Sequence, residues 1–406
     1  MKQYIWMVLI GALSWVHGGE SVVENGLTPS GKATMVFTEE LRINADSGDE
    51  DYYLWSGATL AVEVDKRGHM YVVDTGGLRI IEFDDQGKYI RQIGKKGEGP
   101  GEYQLLKSFK ILSDGTAVGF NDLRAVGVFN YYNDQIQFVE SKREDTGMAL
   151  QSVIFSPNGK HMSSFYMTRD DKGQLITHTA VLDRTFKPLL VLHDIPVVNF
   201  DPSQVANGEW WSEFYSHWFG LSNKGQGLFA FREDGDIYTA LTNKYKITRY
   251  DQSLNKKVVF QRKYKPIPQT EKDLDAYADP IRAEILSSLP ANLHQYITPR
   301  VVSRAIELAQ FPPSKQPIFG MVPMEDGGLL VIHDFNPITG KVVADIFNES
   351  GKYIGQTNLP KVSVNIFGSF FGNPVKMILK GGKAYAIESN EDGETALVRY
   401  RYQLKN

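Results

Sequence analysis

The chain of 406 residues contains no cysteine. A disulfide framework, a thiolate metal site and a cysteine nucleophile are therefore excluded. Anchoring through a lipid-modified N-terminal cysteine is excluded for the same reason. Folding and any chemistry must depend on other side chains.

The sequence also has no excess of basic over acidic residues. The 44 Lys and Arg residues are outnumbered by 48 Asp and Glu residues, which gives a formal charge of −4. A mildly acidic protein is a poor candidate for nucleic-acid binding, so nucleic acid is not expected among its partners.

The apolar run at the N-terminus is too short to span a membrane. It covers residues 4–16, short of the ~20 residues that a spanning helix needs. Lys2 precedes the run and small residues follow it, a pattern typical of a secretory signal peptide. We predict that residues 1–19 are a signal peptide cleaved after Gly18 or Gly19. The mature protein would then have no membrane span and would be secreted or periplasmic.

Two common catalytic motifs are also absent from the sequence. No Gly-x-Ser-x-Gly elbow is present, so a hydrolase of that type has no support. The glycine-dense stretch 94–101 lacks the Gly-Lys-Ser/Thr ending of a phosphate loop and follows an expected strand. It is interpreted as a connection between sheet modules.

What the sequence does contain is a repeated strand pattern, clearest between Gly57 and Tyr103. The 22 Phe, 20 Tyr and 6 Trp residues favour β structure. Four apolar runs of strand length, separated by tight turns, predict one antiparallel sheet. The predicted strands are Gly57–Val64, His69–Val73, Arg79–Phe83 and Tyr89–Gly94.

This module resembles a known family. Residues 68–74, 79–84 and 94–103 are similar to an NHL-type repeat. More closely, they resemble the secreted bacterial six-bladed β-propellers of the TolB-like superfamily, a family largely without assigned activity. The resemblance implies a propeller fold and no particular reaction.

Fainter copies of the module follow along the chain. The turn glycines Gly68, Gly115 and Gly159 are 47 and 44 residues apart, within the ~40–50 residues of a propeller blade. Further copies have turn glycines at Gly235, Gly328 and Gly382. The prediction is an all-β, six-bladed propeller of four-stranded antiparallel blades. A β-sandwich joined to a helical domain is the alternative, and five or seven blades remain open.

The two ends of the chain have complementary defects. The last blade stops one strand short, whereas residues 34–37 and 41–43 are expected to form a short strand without a local partner. Pairing of residues 41–43 beside residues 396–402 would close the ring and remove an exposed edge. The propeller is therefore predicted to span residues 33–406, after a flexible lead at 20–32.

Two segments interrupt the blade period. Residues 197–223 are expected to be irregular, and an insertion at about 268–316 is expected to hold about three short helices. Its helix signals are a capping-box pattern at Thr270 and N-cap–proline pairs at Asp279 and Thr298. Loops on a rigid scaffold often carry binding residues, so both segments are predicted to shape a ligand mouth.

Three of the six tryptophans lie in one stretch of nine residues, 210–218, inside the first of these segments. Large, stiff, amphipathic side chains suit recognition. The alternative is that these aromatics pack between blades or under the helices. The predicted ligand-binding residues are Trp210, Trp211, Tyr215, His217 and Trp218.

A metal site is a further candidate. Oxygen ligands from several blades could hold Ca²⁺ at a central channel, and four blades carry an acid or amide six residues after the turn glycine. The alternative is that these residues bond to the backbone of the next turn. Histidines share no register within the blades and are interpreted as surface or turn residues, while a zinc site built from histidines distant in sequence remains open. The predicted calcium ligands are Asp74, Asn121, Asp334 and Glu388.

These observations favour a binding or scaffold protein that recognises an extracytoplasmic peptide, glycan or protein. The alternative is a metal-assisted lyase or hydrolase at the channel mouth, as in related lactonase and amidating-lyase propellers. No cofactor is expected other than Ca²⁺ as a candidate ion.

Overall fold

The computed structural model describes residues 21–44, 60–123, 126–274, 289–336, 339–362, 375–389 and 395–406, together with Arg282, Ile285 and Leu286. Within this part of the chain, twenty-five strands form six sheets. The sheets surround a central channel, so the predicted all-β, six-bladed propeller is confirmed.

The strands have the following bounds. In chain order they are β1 (Val22–Asn25), β2 (Thr34–Asn44), β3 (Leu60–Val64), β4 (Met70–Asp74), β5 (Arg79–Phe83), β6 (Tyr89–Ile93), β7 (Leu106–Ile111), β8 (Ala117–Asp122), β9 (Val126–Tyr132), β10 (Phe138–Asp145), β11 (Ala149–Phe155), β12 (His161–Arg169), β13 (Leu175–Asp183), β14 (Pro188–Pro196), β15 (Gly227–Phe231), β16 (Ile237–Leu241), β17 (Lys246–Tyr250), β18 (Lys256–Arg262), β19 (Gly320–Pro323), β20 (Leu329–Asn336), β21 (Lys341–Phe347), β22 (Tyr353–Leu359), β23 (Met377–Lys380), β24 (Lys383–Ser389) and β25 (Thr395–Lys405).

Blades 1 to 5 are the sheets β3–β6, β7–β10, β11–β14, β15–β18 and β19–β22, and blade 6 combines β23–β25 with β2. The first strand of each blade is innermost, since these strands contact one another around the ring. The second strand of blade 1 is buried at every position because neighbouring blades cover both of its faces. Its outer strand, β6, is mostly accessible.

Glycine permits the hairpins between the first and second strands. These turns need a left-handed residue, which glycine adopts without steric cost. The glycines at the predicted turn positions of blades 1 to 4 have positive φ, and blade 5 uses Gly327 rather than the predicted Gly328. The φ values are +86° at Gly68, +97° at Gly115, +66° at Gly159, +89° at Gly235 and +91° at Gly327.

The N-terminal strand closes the ring as predicted. β2 pairs antiparallel with β25, with Leu41 opposite Arg399 and Ile43 opposite Leu397. It supplies the outer strand that blade 6 otherwise lacks. β2 is one continuous strand of eleven residues, where the sequence predicted a short strand from residues 34–37 and 41–43.

A second N-terminal strand was not expected. β1 pairs in parallel with β18, as a fifth strand on blade 4. The Asn25 amide donates to the Gly351 carbonyl at 2.9 Å and its oxygen accepts from the Tyr353 N–H at 2.8 Å. Ala33 then forms a bridge to Gly355. Residues 22–44, here called the strap, thus cross the outer edges of blades 4, 5 and 6.

The prediction of an irregular segment at 197–223 was wrong, because it contains the helix α1 (Gly208–Gly220). The Asn207 side chain caps this helix by accepting from the Glu209 and Trp210 N–H groups at 3.1 and 3.2 Å. Asn is a preferred N-cap residue. Asn207 was therefore a sequence signal for a helix start, but it was overlooked beside the aromatic residues that follow it. Short 3₁₀ turns at 202–204 and 221–224 flank the helix.

The described part of the insertion contains helical segments. At its start the Thr270 N–H donates to Asp273 Oδ2 at 2.9 Å and the Asp273 N–H donates to Thr270 Oγ1 at 3.1 Å, which confirms the capping box. Thr298 caps the second helix, α2 (Pro299–Leu308), as predicted. A 3₁₀ turn lies at 291–293. The predicted start at Asp279 lies outside the described residues.

Both helical segments lie at one end of the propeller. α1 connects the outer strand of blade 3 to the inner strand of blade 4, and the insertion connects blades 4 and 5 in the same way. Because strand direction alternates, these connections lie opposite the hairpins between first and second strands. We call the two ends the helix face and the hairpin face. α1 packs on α2 through Trp211, Phe219, Val302 and Ala305, an apolar cluster called the helical layer.

Candidate functional site

A cavity of about 450 Å³ occupies the centre of the ring. Its walls come from the innermost strands of all six blades, β3, β7, β11, β15, β19 and β23. These strands are spread along the chain, so only the closed ring creates the cavity. Its size is within the ~300–1,000 Å³ that small-molecule sites occupy.

The cavity reaches the hairpin face. Residues from the hairpins of blades 3, 4, 5 and 6 line it, including Pro157, Arg232, Glu325 and Lys380. The helical layer lies at the other end of the ring. A ligand entering at the hairpin face would therefore not meet the helices first.

Most charged side chains in the cavity wall have partners of opposite charge. Lys110 Nζ lies 2.9 Å from Glu63 Oε2, which joins blades 2 and 1. Lys380 Nζ lies 3.4 Å from Glu233 Oε1, which joins blades 6 and 4. Burial raises the pKa of Glu63, and the charge of Lys110 opposes that rise. These pairs stabilise contacts between blades and offer little free charge to a ligand.

Two lysines in the wall are different. Lys107 Nζ has a long contact of 3.4 Å to the Gln151 carbonyl oxygen. The Lys376 ammonium has no hydrogen bond or ion pair to any residue that the structure describes. Burial lowers the pKa of Lys107, and burial alone lowers the pKa of Lys376 to about 8. Perturbed lysines in a cavity are candidates for ligand contact.

The predicted aromatic site lies elsewhere, in the helical layer. Trp211 is 4% exposed, packs with Phe219 and Val302, and donates its indole N–H to the Val205 carbonyl at 2.8 Å. Its position matches the packing alternative from the sequence. None of the five predicted ligand-binding residues is among the described residues that line the cavity.

The other four aromatic candidates are more accessible. Trp210 and Tyr215 are partly buried against the same cluster, and Trp218 packs on Ile195 and Leu221 beside blade 3. His217 is exposed, and its Nδ1 lies 3.0 Å from the Glu213 carbonyl oxygen within the helix. The structure thus brings these residues together on one helix, but away from the channel.

Two of the predicted calcium ligands bond to nearby turns. Asp74 is fully buried, and its oxygens accept from the Gly77 N–H at 2.7 Å and from Arg79 Nε at 3.1 Å. Asn121 Oδ1 accepts from the Leu105 N–H at 2.7 Å. The Asp74–Gly77 contact is the turn contact of the alternative interpretation, whereas Asn121 bonds to the segment that precedes β7.

The other two calcium candidates are paired with cations. Asp334 lies 4.0 Å from Lys315, which also binds Asp273 of the insertion at 3.2 Å. Glu388 accepts from Arg42 of the strap at 2.9 Å. Within the described ranges, no group of three or more acidic or histidine side chains is arranged to hold a metal ion. The calcium site stays a prediction.

Sequence reasoning missed the two lysines of the channel. Each lies in an apolar run at the start of an inner strand, Leu105–Phe109 for Lys107 and Val375–Leu379 for Lys376. A lysine inside such a run is the signal that could have found them. Their spatial relation was not readable, because they come from opposite ends of the chain and only ring closure brings them to one cavity.

Comparison with known proteins agrees with the fold. A family model described as a 6-bladed beta-propeller matches residues 59–193, which correspond to blades 1 to 3. No curated protein matches the chain significantly. In the described part of the chain, no helix has the length and apolar character to cross a membrane.

Solved structures with similar folds are distant in sequence. A Bacteroides fragilis protein described as exported is 11% identical, with 95% of this chain and 100% of that chain covered and a TM-score of 0.45. A Bacteroides vulgatus protein is 10% identical, with 92% and 99% covered and a TM-score of 0.47. The PQQ-bound aldose sugar dehydrogenase of Streptomyces coelicolor is 9% identical, with 93% and 100% covered and a TM-score of 0.41. Likenesses at this distance say nothing about activity.

Proposed function

We propose that the protein is a secreted or periplasmic binding protein that takes a small ligand into the central channel from the hairpin face. The observation that carries this proposal is the cavity of about 450 Å³ at the ring centre, walled by all six blades. Concave sites of this size with a few polar groups are the usual form of small-molecule sites. The ligand is a small glycan, a peptide fragment or another extracytoplasmic compound.

The location rests on the N-terminal pattern of Lys2, an apolar run and Gly18. We expect the protein recovered outside the cytoplasm to begin at Gly19 or Glu20. Intact-mass measurement of that material tests this directly. Retention of residues 1–18 would contradict the proposed location.

Channel binding is tested by filling the channel. Ala61 is exposed and lines the cavity, so Ala61→Phe places a ring in the ligand's space. Sugars, sugar acids and short peptides would be screened on the wild type by thermal shift and calorimetry. We expect Ala61→Phe to abolish binding of any hit. The matched control is Leu189→Phe on the outer strand of blade 3, where Leu189 is 42% exposed, and it should bind normally.

The alternative to channel binding is that the ligand binds on the helix face. Trp210 is accessible there beside Phe200, with ring centroids 5.7 Å apart. If the hit still binds to Ala61→Phe but not to Trp210→Ala, the ligand lies on the helices. Such a result would overturn the channel proposal and support the aromatic site predicted from the sequence.

A further inference from the structure

In three neighbouring blades, two lysines and one alanine lie at the start of the innermost strands. Lys376 directly precedes β23 in blade 6, Ala61 is the second residue of β3 in blade 1, and Lys107 is the second residue of β7 in blade 2. The strand β3 contacts both β23 and β7. All three residues line the same cavity, so the two lysines flank a small side chain.

These lysines differ from the other cations of the channel. Lys110 has its carboxylate, Glu63, at 2.9 Å. Lys107 has only the Gln151 carbonyl oxygen at 3.4 Å, and Lys376 has no partner among the described residues. No carboxylate of the described chain lies within ion-pair distance of either ammonium. The two lysines therefore offer hydrogen-bond donors and positive charge that no carboxylate of the described residues neutralises by an ion pair.

An unpaired ammonium enclosed by protein is unfavourable. Burial lowers the pKa of both lysines, and the charge of Asp122 only partly opposes this at Lys107. An anion held between the two lysines would restore the lost solvation and favour their charged forms. The cost of burying them is thus recovered when a negatively charged group binds.

We propose that Lys107 and Lys376 form an anion subsite that binds the carboxylate of a small organic acid, about the size of a sugar acid, over Ala61. This inference rests on the proposed channel-binding function and specifies its ligand class. The lysines bind the carboxylate oxygens, and the remaining cavity holds the neutral, polar part of the ligand.

The rest of the channel favours a single negative charge on the ligand. Glu325 lies nearer the hairpin face and lines the same cavity, where its carboxylate accepts from the Gly381 and Gly382 N–H groups. Its charge would repel a second anionic group at that end. A monocarboxylate with a hydroxylated body therefore fits better than a doubly charged phosphate ester.

Matched acid and neutral probes test the subsite. D-glucuronate and D-galacturonate would be compared with D-glucose and D-galactose by calorimetry at pH 7 in low salt. We expect at least one acid to bind about tenfold or more tightly than its neutral counterpart, since a charged hydrogen bond contributes ~1.5–3 kcal/mol. Lys107→Met and Lys376→Met should each weaken that acid by about tenfold or more and leave the folded state intact by circular dichroism. Lys142→Met is the control, because Lys142 is exposed on the outer strand of blade 2 and pairs with Glu140.

Each other outcome has a defined meaning. Equal affinity for acid and neutral sugar, or acid binding unchanged in both lysine variants, would overturn the anion subsite. Neither acid binding at about 10 mM would overturn the proposed ligand class. Tighter binding of glucose 6-phosphate than of glucuronate would overturn the preference for a carboxylate. If a neutral sugar binds and Ala61→Phe blocks it, the channel function stands without the subsite, whereas binding that Ala61→Phe does not affect removes both.

Discussion

The helical layer and the channel use their conspicuous residues in opposite ways. In the helical layer, apolar side chains such as Trp211 and Val302 are buried against one another between α1 and α2. In the channel, charged side chains line a cavity, and Lys107 and Lys376 lack carboxylate partners in the described chain. The apolar side chains of the helical layer are buried by packing against each other. The two channel lysines, by contrast, remain available to bind a negatively charged ligand.

This difference indicates where a ligand-binding site can be expected in a propeller. The tryptophans that are close together in this sequence lie on one helix, and neighbouring segments can bury them. Side chains that converge in the channel come from separate blades and cannot meet until the ring closes. Unsatisfied polar groups are costly in a folded protein, so they point to a ligand more strongly than aromatic density does.

The largest effect is expected from removing the strap, which closes the ring. Deletion of residues 21–44 should lower the free energy of unfolding by about 5 kcal/mol or more, because blade 6 loses its outer strand and exposes an edge. Urea unfolding measures the loss. Deletion of residues 21–26 alone, which removes only β1, should cost less. A truncated protein that unfolds like the full mature chain would refute ring closure through β2.

The next effect tests the helical layer. Trp211→Ala should lower the free energy of unfolding by ~3–5 kcal/mol, because the ring is buried and leaves a cavity between the helices. Trp210→Ala and Trp218→Ala, at partly buried positions, should cost less. Thermal and urea unfolding give the three values. If Trp211→Ala unfolds like the wild type, the residue is not core and the contrast with the channel fails.

A pH series tests the unpaired charge of the channel. The folded-state pKa of Lys376 is about 8, below the ~10.4 of an unfolded lysine. The unfolded state therefore binds more protons between these values, and the penalty of Lys376 is full below pH 8 and relieved as pH rises to about 10.4. Lys376→Met should thus be more stable than the wild type at pH 7, by up to about 3 kcal/mol, and lose this advantage by about pH 10.5.

The control for that series is Lys142→Met, at an exposed lysine paired with Glu140. It should show no gain at pH 7 and no change of slope relative to the wild type. Equal pH dependence of Lys376→Met and wild type between pH 8 and 10.5 would mean that the ammonium is solvated or paired. The distinction between the two classes of channel lysine would then be lost.

The smallest effect is expected at His217. This side chain is exposed on α1, and its Nδ1 lies 3.0 Å from the Glu213 carbonyl oxygen of its own helix. His217→Ala should change the free energy of unfolding by no more than ~0.5 kcal/mol and leave ligand affinity unchanged. Calorimetry with the hit from the sugar-acid screen checks the second part. A loss of binding would place the ligand on the helix face.

The sequence predicts the blades well because their determinants are local. Alternating strands and turn glycines such as Gly68 recur with each blade, and each hairpin forms between neighbouring residues. The defect in the last blade also had a visible complement at Leu41. The strand β1 was missed because its partner, β18, is more than two hundred residues away, and a short edge strand has no pattern of its own.

The surroundings of the candidate site residues were harder to predict for a related reason. Asp74 ends its strand by bonding to the next turn and Asn121 accepts from the Leu105 N–H before β7, and local spacing cannot distinguish either contact from metal ligation. Trp211 and its neighbours looked like a recognition surface because the sequence does not show that α2 covers them. The channel depends on which strand of each blade faces inward, and that is a property of the assembled ring.

The strap also sets the order in which this protein can be completed. Thr34 pairs with Lys405, so β2 cannot pair in blade 6 until β25 has been synthesised. Blades 1 to 5 can form from consecutive hairpins as they emerge, but blade 6 cannot have its outer strand before β25 has emerged. A contact of such long sequence separation makes folding slow at its last step. The closed channel that Lys107 and Lys376 line therefore exists only after β2 has paired with β25, and every earlier intermediate leaves β2 and the growing edge open to other strands.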